Sequence, residues 1–126
     1  MYKNLTTAGV LGVIAVILGA FGAHALKTRL TPEALDSFET AVRYQFFHVF
    51  LLLFVNMFTE LTNKEKNRIS YFLIAGILLF SGSIYLIYLA NVPAKAIWFV
   101  TPLGGVLLIV GWSLLAYSFF KKVIKG

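Results

Sequence analysis

The sequence contains no cysteine. That absence excludes disulfides, thiolate metal sites, iron–sulfur clusters and cysteine nucleophiles. Charge is scarce too. Asp, Glu, Lys and Arg make up 13% of the 126 residues, where a soluble domain keeps about a quarter. Only five residues are acidic, and none lies in the interior of a long apolar run. Hydrophobic residues make up 60% of the chain, so there is too little polar side chain to coat a water-soluble globule. The surplus apolar surface must face lipid. The net charge of +6 would suggest nucleic acid in a soluble protein. Here the basic residues cluster at the ends of apolar runs, where anionic headgroups and topology signalling account for them, and no nucleic-acid partner is expected.

Four apolar runs are present, at about 5–26, 41–61, 69–90 and 97–120. Each approaches the ~20 residues that cross a hydrocarbon core as a helix. Lipid offers the backbone no hydrogen bonds, so each segment must satisfy its own. The expected fold is an all-α membrane protein, a single four-helix transmembrane bundle over residues 1–126 with helices at about 5–26, 32–61, 69–90 and 97–120. The second run is the weakest, carrying Arg43, Gln45, His48 and Asn56. An interfacial helix would show a polar face along its whole length, whereas this run is almost wholly apolar from Phe46 to Phe58, which favours a span.

The connectors refine this reading. Thr31-Pro32-Glu33 is a helix start: a capping hydroxyl, a proline suited to the first turn and an acid that complements the dipole. Beyond it Leu35, Phe38 and Val42 share one face, so the second helix is expected to begin as a short amphipathic interfacial extension and then dive. Glu39 and Arg43 are spaced for an i,i+4 pair. The run from Asn63 to Arg68 reads as a charged turn, and Asn91-Val92-Pro93 ends the third span. On the side of both termini lie seven basic residues (Lys3, Lys64, Lys66, Arg68, Lys121, Lys122, Lys125), against four on the other (Lys27, Arg29, Arg43, Lys95). The positive-inside rule therefore places both termini in the cytoplasm of a multi-pass cell-membrane protein. Lys3, the first apolar run and Ala23-His24-Ala25 mimic a cleavable leader, but the run exceeds the ~7–15 apolar residues of one.

Helix one carries a small-residue stripe of Ala8, Gly12, Ala15, Gly19 and Ala23, with Gly9 and Gly22 beside it. Gly104 and Gly111 form a similar groove on helix four. Such spacings let helices approach closely, within the chain or between copies of it. At 1.5 Å per residue, His48 and Ser83 lie ~10 Å below the outer boundary, Tyr85 ~7 Å, Thr101 ~6 Å and His24 ~3 Å. Arg43, Tyr44 and Gln45 are shallower than His48. Depth therefore gathers polar groups from all four helices in the extracytoplasmic half; Asn56 and Ser113 stand towards the other side, where no comparable cluster is expected. Polar groups in hydrocarbon cost free energy unless partnered, so they should face inward and pair. Two readings stay open: a site for a small solute, ion or lipid headgroup, or a hydrogen-bonded network that locks the helices in register. His24 and His48 are compatible with bis-histidine haem, but no third ligand or supporting carboxylate accompanies them, and no cofactor or metal is expected. Thr101-Pro102-Leu103-Gly104-Gly105 either kinks helix four or places Pro102 harmlessly in its first turns. Trp98 and Tyr88 suit an outer aromatic belt, and Tyr2, Tyr71 and Tyr117 an inner one.

Several of these segments form a longer pattern: Gly19-Ala20-Phe21-Gly22-Ala23-His24-Ala25-Leu26, then Phe38, Thr40-Ala41-Val42, Tyr44-Gln45 and His48, then Phe80-Ser81-Gly82-Ser83-Ile84-Tyr85, then Thr101 to Gly105 with Gly111-Trp112. Together they resemble the family known as domain of unknown function 423, small bacterial inner-membrane proteins with eukaryotic relatives. The resemblance implies a four-helix membrane protein and no particular activity. Proton-coupled multidrug pumps need a buried carboxylate, which is missing. The phenylalanine–threonine track of dual-topology fluoride channels is also missing; Phe80-Ser81-Gly82-Ser83 stands instead. No catalytic constellation is visible, so an enzyme is not expected. The remaining readings are binding or transport through the outer cluster, and a structural or accessory role in which the Gly/Ala stripes pack against a partner membrane protein or a second copy.

Overall fold

Each apolar run is built around one long helix, because a chain in hydrocarbon has no other way to satisfy its amides; α2 stops at Met57, short of the expected 61, and α4 starts at Val100 rather than 97. The computed structural model describes all 126 residues. Helix α1 is Tyr2–His24, α2 Pro32–Met57, α3 Asn63–Leu89 and α4 Val100–Lys125. Short 3-10 turns at Leu26–Thr28 and Ala94–Ile97 lead into α2 and α4. All four helices are long and apolar enough to cross a membrane.

Local chemistry sets the ends. The Thr31 hydroxyl accepts from the Ala34 amide at 3.1 Å, with Pro32 in the first turn. The opening of α2 keeps Phe38 and Val42 buried and leaves Glu33, Asp36 and Glu39 exposed. Between α2 and α3 the structure departs from expectation. Residues 63–68 are not a turn; they form the first turns of α3. Thr62 and Glu65 make a reciprocal capping box, in which the Glu65 amide donates to the Thr62 hydroxyl at 3.2 Å and the Thr62 amide donates to the Glu65 carboxylate at 2.9 Å. A cap of this kind is worth ~1 kcal/mol, enough to start the helix inside a charged segment. The connection shrinks to residues 58–62. At the far end of α3, Asn91 adopts a left-handed φ of 57° and the Val92 amide returns to the Leu86 carbonyl at 3.1 Å. Pro102 falls in the first turn of α4, where its missing amide has no intrahelical partner to lose.

Helix α2 is the centre of the bundle. Half of its apolar stretch is buried, against 22% for α1 and for α4. It packs antiparallel to α1 and to α3, and α3 packs most extensively on α4. Lipid tails are as apolar as leucine, so close van der Waals fit rather than water exclusion must hold such helices together. The glycines supply that fit. A Cβ on Gly12 would meet Val49, one on Gly19 would meet Val42 at 3.3 Å, and one on Gly22 would meet the Phe38 ring at 2.9 Å. Gly22, not Ala23, completes the stripe, and Ala23 is exposed. Seven residues past the buried Ala15 the helix returns to within ~20° of the same face, whereas eight residues carry it ~80° away. On α4, a Cβ at Gly104 would collide with the α3 backbone at Leu79 and Phe80, and one at Gly111 would sit 2.7 Å from the Leu73 side chain. Both stripes are therefore occupied within the chain.

Candidate functional site

Gln45 sits on the buried face of α2 and bridges two neighbours. Its amide nitrogen donates to the Leu11 carbonyl of α1 at 2.7 Å, and its amide oxygen accepts from the Tyr85 hydroxyl of α3 at 2.6 Å. One turn further, His48 links α2 to α4. Its Nδ1 lies 2.6 Å from the Tyr44 carbonyl, and its Nε2 lies 3.0 Å from the indole nitrogen of Trp112. A carbonyl can only accept and an indole N–H can only donate, so Nδ1 carries the proton and Nε2 offers its lone pair. Both nitrogens of the neutral ring are thereby used, and His24 stands exposed at the end of α1.

The same network continues towards the outer end. The Ser81 hydroxyl of α3 donates to the Ala41 carbonyl of α2 at 2.7 Å. Ser83 donates to the Phe80 carbonyl at 2.9 Å and so receives the Thr101 hydroxyl of α4 at 2.5 Å. Gln45, His48, Ser81 and Ser83 are each at most 5% exposed. No buried side-chain nitrogen or oxygen lacks a hydrogen-bond partner. Tyr44 contributes its backbone carbonyl, while its ring stacks on Phe80 with centroids 4.9 Å apart.

Depth alone placed two residues wrongly. Arg43 is exposed, and its guanidinium donates to the Thr40 hydroxyl at 3.1 Å rather than entering the cluster or pairing with Glu39. Two residues turn a helix by ~200°, so Arg43 and Gln45 face opposite ways, whereas Gln45 and His48, three apart, share a face. His24 is likewise outside the network. Trp112 and Ser81 are inside it and had no place in the depth argument; the signal was there for Trp112, since a tryptophan in mid-span is far from the interfacial level such residues favour.

A second polar cluster occupies the end near the termini, contrary to expectation. Asn56, fully buried, donates to the Leu52 carbonyl and to the Ser70 hydroxyl, each at 2.8 Å, and accepts from Asn4 at 2.9 Å. Asn4 also donates to Asn67 at 3.0 Å. This group ties α1, α2 and α3 together at that end, as Gln45 ties them in mid-span.

The family match spans most of the outer cluster, Leu11 and Trp112 excepted. The family model described as "Protein of unknown function (DUF423)" matches residues 18–105, which hold Gln45, His48, Ser81, Ser83, Tyr85 and Thr101. The chain belongs to the DUF423 family. Within it, the chain is 40% identical over 120 residues to a UPF0382 membrane protein of Haemophilus influenzae, covering 95% of each chain. It is 39% identical over 109 residues to one of Staphylococcus saprophyticus, covering 86% of this chain and 89% of that relative. A third, from Staphylococcus aureus, is 38% identical over 109 residues, covering 86% and 88%. No solved structure matches the chain. The DUF423 relatives are named as membrane proteins, in keeping with the four spans, and the family name carries no activity.

Proposed function

We propose that this DUF423 protein is a structural or accessory protein of the cell membrane that acts through its lipid-facing surface. The observation that carries this reading is the saturation of its interior. Every buried polar side-chain atom is hydrogen-bonded within the chain, and none of the four cavities is lined by Gln45, His48, Ser83, Tyr85 or Thr101. A fully satisfied network rigidifies and fixes register; a solute site would hold groups in reserve for its ligand. The glycine stripes are spent on internal packing, so the partner surface is the free faces of α1 and α4, where Val10, Val13, Ile17 and Ile109 are more than half exposed. Both termini belong in the cytoplasm on the distribution of basic residues. Crosslinking in intact membranes followed by pull-down tests the reading. Recovery of a discrete membrane-protein partner or a second copy is expected, and recovery of the monomer alone removes it.

Binding of a polar solute, ion or headgroup at Gln45 and His48 is the second reading, supported by the concentration of hydrogen-bonding groups in mid-span. It requires the network to open. A retained ligand in native mass spectrometry, lost in His48→Ala, would favour it over the accessory role.

A further inference from the structure

Where α3 begins and α4 ends, a cleft of about 360 Å³ opens between the two helices, and no hydrophobic residue lines it. Five cations converge there: Lys64 and Arg68 from α3, and Lys121, Lys122 and Lys125 from α4. Glu65 is the one carboxylate in the cleft, and it is already engaged. It accepts from the Thr62 amide and hydroxyl and pairs with Lys121 at 3.5 Å. That is the only ion pair in the protein, so the other four cations have no carboxylate partner.

Two general explanations for basic residues fall short here. Topology signalling depends on how many cations a loop carries, not on their gathering in one cleft. Lys64 with Arg68, and Lys121 with Lys125, are like-charge i,i+4 neighbours, a spacing that destabilises a helix. The helix dipole favours Lys122 and Lys125 at the C-terminal end of α4 but disfavours Lys64 in the first turn of α3. A gathered, mutually repelling set of cations is stabilised by an anion placed among them.

The level of the cleft narrows the chemistry. Arg68 directly precedes the apolar run of α3, and Lys121 directly follows that of α4, so the cleft lies at headgroup depth. Beside it α4 exposes Tyr117, Phe120 and Ile124, each more than half accessible, with the Lys121 ammonium 5.1 Å from the Tyr117 ring. We propose that this cleft binds the phosphate-bearing headgroup of an anionic phospholipid, with the acyl chains running from it past Phe120 and Tyr117 of α4 towards the membrane interior. A free phosphate would offer the same oxyanion without the chains, and the apolar flank is what favours the lipid. The proposal is independent of which leaflet the cleft faces.

The test titrates the purified full-length protein in detergent with phosphatidylglycerol or phosphatidylcholine and counts retained lipid by native mass spectrometry. Phosphatidylglycerol should be retained in preference to phosphatidylcholine. Each cation near an anionic surface is worth a factor of about five, so Arg68→Gln/Lys122→Gln/Lys125→Gln should weaken that retention roughly a hundredfold. The single variant Lys122→Gln should weaken it about fivefold, which keeps the test decisive if the triple variant does not fold. Lys122→Arg/Lys125→Arg should retain the lipid. Lys27→Gln/Arg29→Gln/Lys95→Gln, at the opposite end of the bundle, should leave retention unchanged. Equal loss in the distant variant would mean that bulk charge alone attracts lipid, and the site would be rejected. Displacement of the lipid by inorganic phosphate at equal concentration would assign the cleft to a free anion and overturn the lipid proposal.

Discussion

Replacing Gln45 by leucine removes two helix-bridging hydrogen bonds at once. Interhelical hydrogen bonds in a bilayer average ~0.6 kcal/mol, with a maximum near ~1.7 kcal/mol. The two made by Gln45 are short, 2.7 and 2.6 Å, and together contribute ~1–3 kcal/mol. The Leu11 carbonyl keeps its own helical amide when the glutamine is gone, but the Tyr85 hydroxyl is left half-buried without a partner, at a cost of ~1–3 kcal/mol. Gln45→Leu is therefore expected to destabilise the bundle by ~2–6 kcal/mol. Tyr85→Phe removes one bond and orphans only an acceptor, at a cost of ~1 kcal/mol. The double variant leaves no orphan and loses the shared bond only once, so its destabilisation should fall short of the sum of the singles by at least ~2 kcal/mol. Equilibrium unfolding by sodium dodecyl sulfate in mixed micelles, followed by loss of helicity, measures all three. Strict additivity would show that Gln45 and Tyr85 are not coupled. No effect from Gln45→Leu would sink the network argument itself and return weight to a ligand-binding role for that side chain.

The glycines and the capping box give two more predictions. Gly104→Ala should abolish or grossly weaken the fold, because the added carbon meets the backbone of Leu79 and Phe80, whereas Gly111→Ala meets only the end of the Leu73 side chain and should cost ~1–3 kcal/mol; equal losses in the same detergent titration would contradict the helix spacing described here. The Thr62 amide, which donates to Glu65, is the main cause that holds this carboxyl down to about 2 from an ordinary 4.5, helped by Lys121. A depressed folded-state value stabilises the protein above pH 4.5 and loses that contribution as pH falls towards 2, so thermal stability should drop across that window in the wild type and be flatter in Glu65→Gln.

The four spans were legible because one physical demand dominates: apolar runs of bilayer length must be helices in lipid. Thr31-Pro32-Glu33 was legible because a cap is local. The Thr62–Glu65 box is equally local, but it lies inside a charged stretch that reads as a loop, and the signal of composition overrode that of spacing. The outer cluster was half legible. Depth along a helix follows from counting residues, and it brought Gln45, His48, Ser83, Tyr85 and Thr101 to neighbouring levels. Direction around the helix does not follow from depth, so Arg43 and His24 were carried in with them. The mid-span level of Trp112 sets it apart from an interfacial tryptophan, but nothing local relates it to His48, 64 positions away. Asn4 and Asn56 lie 52 positions apart, and their meeting depends on how α1 is set against α2.

The central position of α2 bears on how the chain enters the membrane. It is the least lipid-like of the four segments, since it alone carries Gln45, His48 and Asn56, yet its polar face is covered by α1 and α3, with Trp112 of α4 reaching His48. Its polar groups are solvated by sibling helices rather than by acyl chains. A segment of this kind gains little from partitioning into oil by itself. Its residence in the bilayer is therefore completed by packing between α1 and α3, and insertion of the second span is expected to be coupled to assembly of the bundle.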